Sequence, residues 1–300
     1  MRQRVLAGFR SRRQYYDWRE IEGYVDIALA SVENLREAAG IWGASAVIPT
    51  AQEAIAATIR VIHHADDSNG SVGMVVGELL DLHADLCTVA PPDPKKLVDW
   101  LIRFQFDGSQ DFFNPDVANY ADSLGAAGLT LFGDRLQLFR DKFGPETEDY
   151  NWNRTLVALN FQRLAVARRD PQALIASFGD LSRSYRLHDL AKALIEIDEI
   201  DEIDLATEYA ALGGRGEDGW QAERCALYWC ELVAQHRAHT DEVDARTFVF
   251  GRWPTASNAL RLAEALGDDW VEVVEDAYEK LLARSPRDLI ETLLGLGVDD

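Results

Sequence analysis

Proline is sparse, nine in 300 residues, and no stretch rich in Pro, Gly or Ser divides the chain. That excludes a collagen-like or linker-dominated protein and leaves long segments free to run as helices. Cysteine is scarcer still: Cys87, Cys225 and Cys230, an odd number without C-x-x-C spacing. This argues against a disulfide framework, and reduced thiols in a cytoplasmic protein are expected. No apolar run approaches the ~20 residues of a membrane span. The N-terminal MRQRVLAGFRSRR also lacks an apolar core of signal-peptide length. Positive charge is short as well: 30 Lys and Arg stand against 51 Asp and Glu, giving a net charge of −21 and a pI near 4.6. Phosphates and anionic lipid would be repelled over most of such a surface. Direct nucleic-acid contact and membrane attachment are therefore not expected; a protein or peptide partner of basic character suits the charge.

What is present is material for a core. Hydrophobic residues make up 47% of the chain and aromatics 10%, including eight Trp, so the chain folds and is no acidic tail. The periodicity is helical throughout. Ile21, Tyr24, Ile27, Ala28, Val32, Leu35 and Ala38 share one face, and Gly40 is the expected stop. Pro49 and Thr50-x-x-Glu53 are read as opening the next helix, and Asp67-Ser68-Asn69-Gly70 as the turn before another. Pro94, Pro171, Pro254-Thr255 and Pro286 mark further starts, and Gly125 divides a short helix from one beginning at Gly128. Thr247-Phe248-Val249-Phe250 is the only β-like run, too short and isolated to build a sheet. Pro94, Pro171 and Pro286 lie 77 and 115 residues apart, about two and three times a unit of roughly 38 residues, the size of a helical hairpin. The expected fold is all-α: an α-solenoid or tetratricopeptide-like superhelix of helical hairpins. Residues 1–300 read as one helical-repeat domain with a soft subdivision near 144–151. The first 20 residues carry six Arg against Asp17 and Glu20. A solvated first helix pairing with acidic neighbours explains them, with a basic arm as the alternative.

Residues 63–87 concentrate the groups that could bind metal. Counted from Asp67, an EF-hand register puts Val72 where the loop needs Gly, with Gly73 one place late. The same letters are explained by a helix cap. His83 and Cys87 share a helix face at i, i+4, so with His63 or His64 they are candidate zinc ligands. Their apolar neighbours Leu82 and Leu86 favour a packing role instead. His236-x-x-His239 is a second candidate pair, lacking the Glu of a zinc-hydrolase H-E-x-x-H. Gly214-x-Gly216-x-x-Gly219 matches a dinucleotide fingerprint in letters, but it follows a helix and carries Glu217 and Asp218, which would repel a pyrophosphate. No nucleophile elbow, phosphate loop or Cys/His context indicates an enzyme class or a cofactor. The strongest polar feature is acidic: ten acids against two bases from Asp189 to Asp218. Within it, Glu196, Asp198, Glu199, Asp201, Glu202 and Asp204 are the candidate interaction residues.

The letters Asp66-Asp67-Ser68-Asn69-Gly70, Gly73, Glu78-Leu79, Leu82-His83 and Cys87 resemble an uncharacterised bacterial helical-repeat family whose domain often follows a SWIM-type zinc finger. Tyr120-Ala121-Asp122-Ser123-Leu124-Gly125 with Gly128-Leu129 is similar to the same family, as is Trp253-Pro254-Thr255. The resemblance implies a superhelix of hairpins and brings no activity with it. The C-x-C and C-x-H ligands of the finger are absent here, so its zinc and nucleic-acid functions do not transfer. The expected function is a cytoplasmic protein–protein interaction scaffold. Two alternatives are a metal-dependent hydrolytic enzyme at His83 or His236/His239, and an acidic nucleic-acid mimic that captures a basic partner.

Overall fold

Side-chain oxygens start these helices, and left-handed glycines end several of them. Asp17 Oδ1 accepts from Arg19 N at 2.8 Å, Asp93 from Lys96 N at 3.0 Å, Asp170 from Ala173 N at 2.9 Å and Thr255 from Asn258 N at 3.2 Å. Each satisfies a first-turn N–H that has no partner inside its own helix. The computed structural model describes residues 2–107, 110, 112–144, 151–198 and 200–297. Among them the only bridge is an isolated parallel one, Tyr15 to Ala65, and no strand is present. The chain is all-α, and its contacts divide it into two units, Met1–Arg168 and Arg169–Asp300. The 145–150 part of the link read as a soft subdivision lies outside the described residues.

The first unit contains α1 (Arg2–Ala7), α2 (Trp18–Trp42), α3 (Ala44–Ile62), α4 (Ser71–Val89), α5 (Pro94–Phe106), a 3-10 turn at Val117–Tyr120, α6 (Ala121–Phe143) and α7 (Trp152–Arg168). Helices α1 to α4 pack in succession, as do α5 to α7, and α4 also packs on α2, on the 3-10 turn and on α6. One continuous core runs from Leu6 and Phe9 through Leu35, Ile55, Leu79 and Leu101 to Phe132 and Leu136. Several expected boundaries move. Gly40 stays inside α2 because Gly43, at φ 85°, supplies the left-handed residue, its N–H bonding Ala39 O at 2.9 Å. Pro49 lies inside α3, five residues past its start, instead of opening it. The bond it forfeits would have gone to the carbonyl of Ser45, in the first turn, so the helix continues. The Arg-rich N-terminus is no long solvated helix: α1 ends at Ala7, and Phe9 and Tyr15 bury themselves against the unit. Arg13 pairs with Glu20 at 3.3 Å and lies over Tyr15. Helix α6 breaks at Gly125 (φ 57°, ψ −178°), as Gly125 and Gly128 suggest.

The second unit is more regular. It contains α8 (Pro171–Phe178), α9 (Ser184–Ile197), α10 (Ile203–Gly214), α11 (Trp220–His236), α12 (His239–Arg252), α13 (Ala256–Leu266), α14 (Trp270–Arg284) and α15 (Pro286–Gly295). Helices α9, α11 and α13 begin 36 residues apart and open three successive hairpins. Leu190, Ala226 and Leu262, one repeat apart, are all buried. Alternate helices α9 and α11 lie against each other, as do α13 and α15. This is the stacking of an α-solenoid, in which each hairpin buries its apolar face on the next. Thr247–Phe250, the β-like run, is in α12.

Candidate functional site

The stretch from Asp66 to Cys87 folds into a capped helix with a buried polar node. Asp67 Oδ1 accepts from Val72 N at 2.8 Å and Oδ2 from Gly73 N at 3.0 Å, so one carboxylate caps the start of α4 with both oxygens. The Asp/Ser/Asn/Gly letters are thereby engaged with backbone N–H groups.

Six residues before the end of α4, His83 is fully buried. Its Nε2 is 3.0 Å from Gln52 Nε2, on α3, and its Nδ1 is 3.0 Å from Tyr120 Oη. Trp100 lies on the ring at a centroid distance of 4.2 Å. The Gln52 amide nitrogen can only donate, so Nε2 accepts and the ring proton is on Nδ1, directed at Tyr120. The Tyr120 hydroxyl in turn donates to Leu80 O at 3.4 Å. Both ring nitrogens are engaged in this chain of bonds. Burial pushes the imidazole down to about 4 and the Cys87 thiol up to about 12. Neither a thiolate ligand nor a thiolate nucleophile forms readily in such surroundings. Cys225 and Cys230, buried in the second unit, are held at about 12 and about 11 for the same reason.

The other histidines lie apart from this node. His63 is exposed at the end of α3, and His64 Nε2 is 3.2 Å from Ser11 O, tying down the N-terminal segment. His236 ends α11; His239 begins α12 and pairs with Glu242 at 3.6 Å. Among the described residues, no group of three His, Cys, Asp or Glu side chains is gathered to hold a metal ion. The glycine fingerprint is a close-packed corner. Arg252 donates to the carbonyls of Gly214 and Gly216, and Asp218 accepts from Ser184 N at 2.6 Å at the start of α9. The loop thus presents carbonyls, not the N–H groups a phosphate needs.

The feature that could receive a partner is a groove between α9 and α11 in the second unit, of about 520 Å³. Trp220 is 68% exposed at its N-terminal end, followed by Leu227 and Tyr228 on the same face of α11. The lining also carries Lys192, Glu223 and Arg224, and near Tyr228 stand Glu231 and, on α9, Glu196. Burial first, then these two carboxylates, hold the Tyr228 phenol above its ordinary range. The acidic run continues from there. Asp198 accepts from Ile200 N at 2.9 Å and Asp201 N at 3.1 Å, making a tight turn that leaves Ile200 82% exposed. Those two N–H groups pull the Asp198 carboxyl below its usual range. Asp201 is exposed and Glu202 half-buried, and Asp204 forms an ion pair with Arg237. Glu199 lies outside the described residues. The acidic residues named from sequence lie at and after the end of α9, and those described are not among the residues lining the groove. The aromatic residues of the groove were not named; the density of Trp and Tyr in 220–229 was the available signal.

Fold and surface together define a helical-hairpin protein with an aromatic groove. In comparison with known proteins, no family model, no curated protein and no solved structure matches this chain.

Proposed function

We propose that the protein is a cytoplasmic, tetratricopeptide-like interaction scaffold. Its α9/α11 groove takes a protein segment pairing an apolar anchor with basic residues. The observation that carries this reading is Trp220, a large aromatic left 68% exposed in a groove of the second unit, the more acidic of the two. Exposed aromatics in concave sites are the usual anchors of binding energy, and the surrounding charge sets partner choice and on-rate. A segment with an aliphatic or aromatic residue on Trp220 and Leu227 would bring Lys or Arg to Glu231, Glu196, Asp201 and Glu202. The relationship to the SWIM-associated helical-repeat family is part of the same proposal. In its favour, two of the runs similar to that family meet at the His83–Tyr120 bond. Such a contact would preserve those letters for packing and leave the surface free to vary.

A displayed peptide library panned on the full chain should enrich peptides combining an apolar residue with Lys or Arg. Trp220→Ala should cost at least about tenfold in affinity for the enriched peptide, the effect of losing a modest hot spot. Asp201→Asn with Glu202→Gln should weaken binding less and flatten its salt dependence. Enrichment of acidic peptides, or binding indifferent to Trp220→Ala, would reject the reading.

A further inference from the structure

The first unit carries a surface of opposite character. A groove of about 300 Å³ between α5 and α6 has Ile102, Leu138 and Phe139 as its floor and Arg103, Arg135 and Lys142 on its walls, with Asp99 the one acid. Leu138 is 61% exposed. Phe139 is held in place by stacking on Phe106 at 4.2 Å and against Phe143 at 6.1 Å. Arg135 reaches Asp99 at 3.7 Å. Among the described residues, Arg103 and Lys142 have no carboxylate partner.

We propose that this groove receives the Ile200–Glu202 tip from the second unit of another copy of the same chain. The two surfaces are complementary group for group. The tip is an isoleucine at 82% exposure, followed by Asp201 and Glu202, whose side chains have no ion-pair partner among the described residues. The groove is an apolar floor between Arg103 and Lys142, the latter lying over the Phe143 ring at 5.0 Å. Ile200 on Leu138 and Phe139 would bury apolar surface on both sides, while the two carboxylates meet Arg103 and Lys142. The tip is also pre-ordered, because Asp198 already holds its backbone N–H groups, so little conformational entropy is lost on docking. Leu138 is exposed on the first unit and Ile200 on the second. Groove and tip are different surfaces, which makes the interface head-to-tail: it grows into an open chain or closes as a ring.

A single turn in a small groove gives a weak contact. Net charge opposes it, since each copy carries −21. Ionic strength separates the two effects. At 0.01 M salt, repulsion reaches across ~30 Å and disfavours assembly; near 0.15 M it is screened beyond ~8 Å while the contact pairs survive; at 1 M the pairs themselves are screened. Assembly therefore peaks at intermediate salt.

The inference rests on the reading of the acidic turn as a docking element, but it does not use the Trp220 groove. The test is sedimentation equilibrium of the full chain from micromolar to near-millimolar concentration. The expected result is a weight-average mass that rises above 33.6 kDa with concentration. Arg103→Gln with Lys142→Gln should make the chain monomeric, as should Ile200→Asp, with helical content unchanged by circular dichroism. Arg10→Gln with Arg12→Gln removes the same charge elsewhere and should leave assembly intact. Mixing the groove variant with the tip variant should restore one interface and give a dimer that grows no further. A wild-type chain that stays monomeric throughout overturns the proposal, as does assembly that survives either variant or a mixture that stays monomeric. If the chain is monomeric yet binds a basic peptide through Trp220, this inference alone fails. If it assembles but binds no such peptide, the scaffold reading alone fails.

Discussion

The two units are built on opposite interiors. In the first, bulky residues fill one core, with Phe9, Tyr120, Phe132, Ile21, Leu35 and Leu101 among its fully buried side chains. In the second, the contact of α9, α10 and α11 is made by Ala191, Ala206, Ala210, Gly213 and Gly214 meeting Cys225 and Ala226. Charge divides as unevenly. The first unit has 17 Lys and Arg against 23 Asp and Glu, and the second 13 against 28, so net charges are −6 and −15. Small residues let helices approach closely and repeat every 36 residues; large ones tie unequal helices into a single core. One interior should fail when atoms are removed, the other when they are added.

The sharpest break in that comparison is a cavity in the first unit. Phe132 is fully buried on α6 within the continuous core. Phe132→Ala should cost about 3–5 kcal/mol. Hydrogen exchange followed by mass spectrometry should show protection lost across 2–168 and kept in α9–α12. Uniform loss in both units would mean that the division has no energetic meaning.

Acid should separate the units next. The imidazole of His83 is held near 4 in the folded unit by burial, against 6.5 in an unfolded chain. Below pH 6.5 the unfolded chain takes up a proton that the folded one refuses, so stability falls as pH drops from 6.5 to about 4. At about 1.4 kcal/mol per unit the loss is roughly 3 kcal/mol. In the second unit His188 is buried too, but its Nδ1 lies 3.4 Å from a carboxylate oxygen of Asp189. The unit's excess of carboxylates makes it less self-repulsive as acid is added. Exchange protection at pH 7 and pH 4.5 should therefore fall in the first unit and hold in the second. His83→Gln, which titrates nowhere in this range, should flatten the first unit's response; an unchanged response would move the pH sensitivity to other groups.

Much of the fold was legible in the sequence because caps are local. Asp93-Pro94, Asp170-Pro171 and Pro254-Thr255 start helices where their letters say, and Asp67 caps α4 as read. Errors arose where a local signal met a nonlocal constraint. Pro49 resembles a helix start, but Gly43 had already fixed one. Prolines suggested a unit of about 38 residues, yet the hairpins of the second unit begin at Ser184, Trp220 and Ala256, 36 residues apart, and of these only Ala256 follows a proline, Pro254. Pro171 instead opens α8, which precedes that series. The buried node was half legible. His83 as a packing residue follows from its apolar neighbours, but Gln52 and Tyr120, 31 and 37 residues away, are joined to it only by the packing of α3, α4 and the 3-10 turn. The acidic run after α9 was visible as charge. The aromatic groove was not, because an amphipathic helix rich in Trp and Tyr reads as core until its neighbours are placed.

The smallest effect isolates the close approach in the second unit. A methyl group at Gly214 would come within 2.8 Å of the Ala226 Cα and 3.1 Å of its backbone nitrogen. Those are atoms of the α11 backbone, so no rotamer change relieves the clash, and the helix itself has to shift. Gly214→Ala should cost about 1–3 kcal/mol by overpacking. Gly251, inside α12 in the same unit, meets nothing within 4 Å of the same added methyl. There, Gly→Ala should stabilise by about 0.5–1 kcal/mol through lost freedom of the unfolded chain. Thermal melts of the two variants should therefore move in opposite directions from the wild type. Two shifts of the same sign would mean that the α10/α11 contact has slack, and that small residues there serve helix propensity rather than close packing.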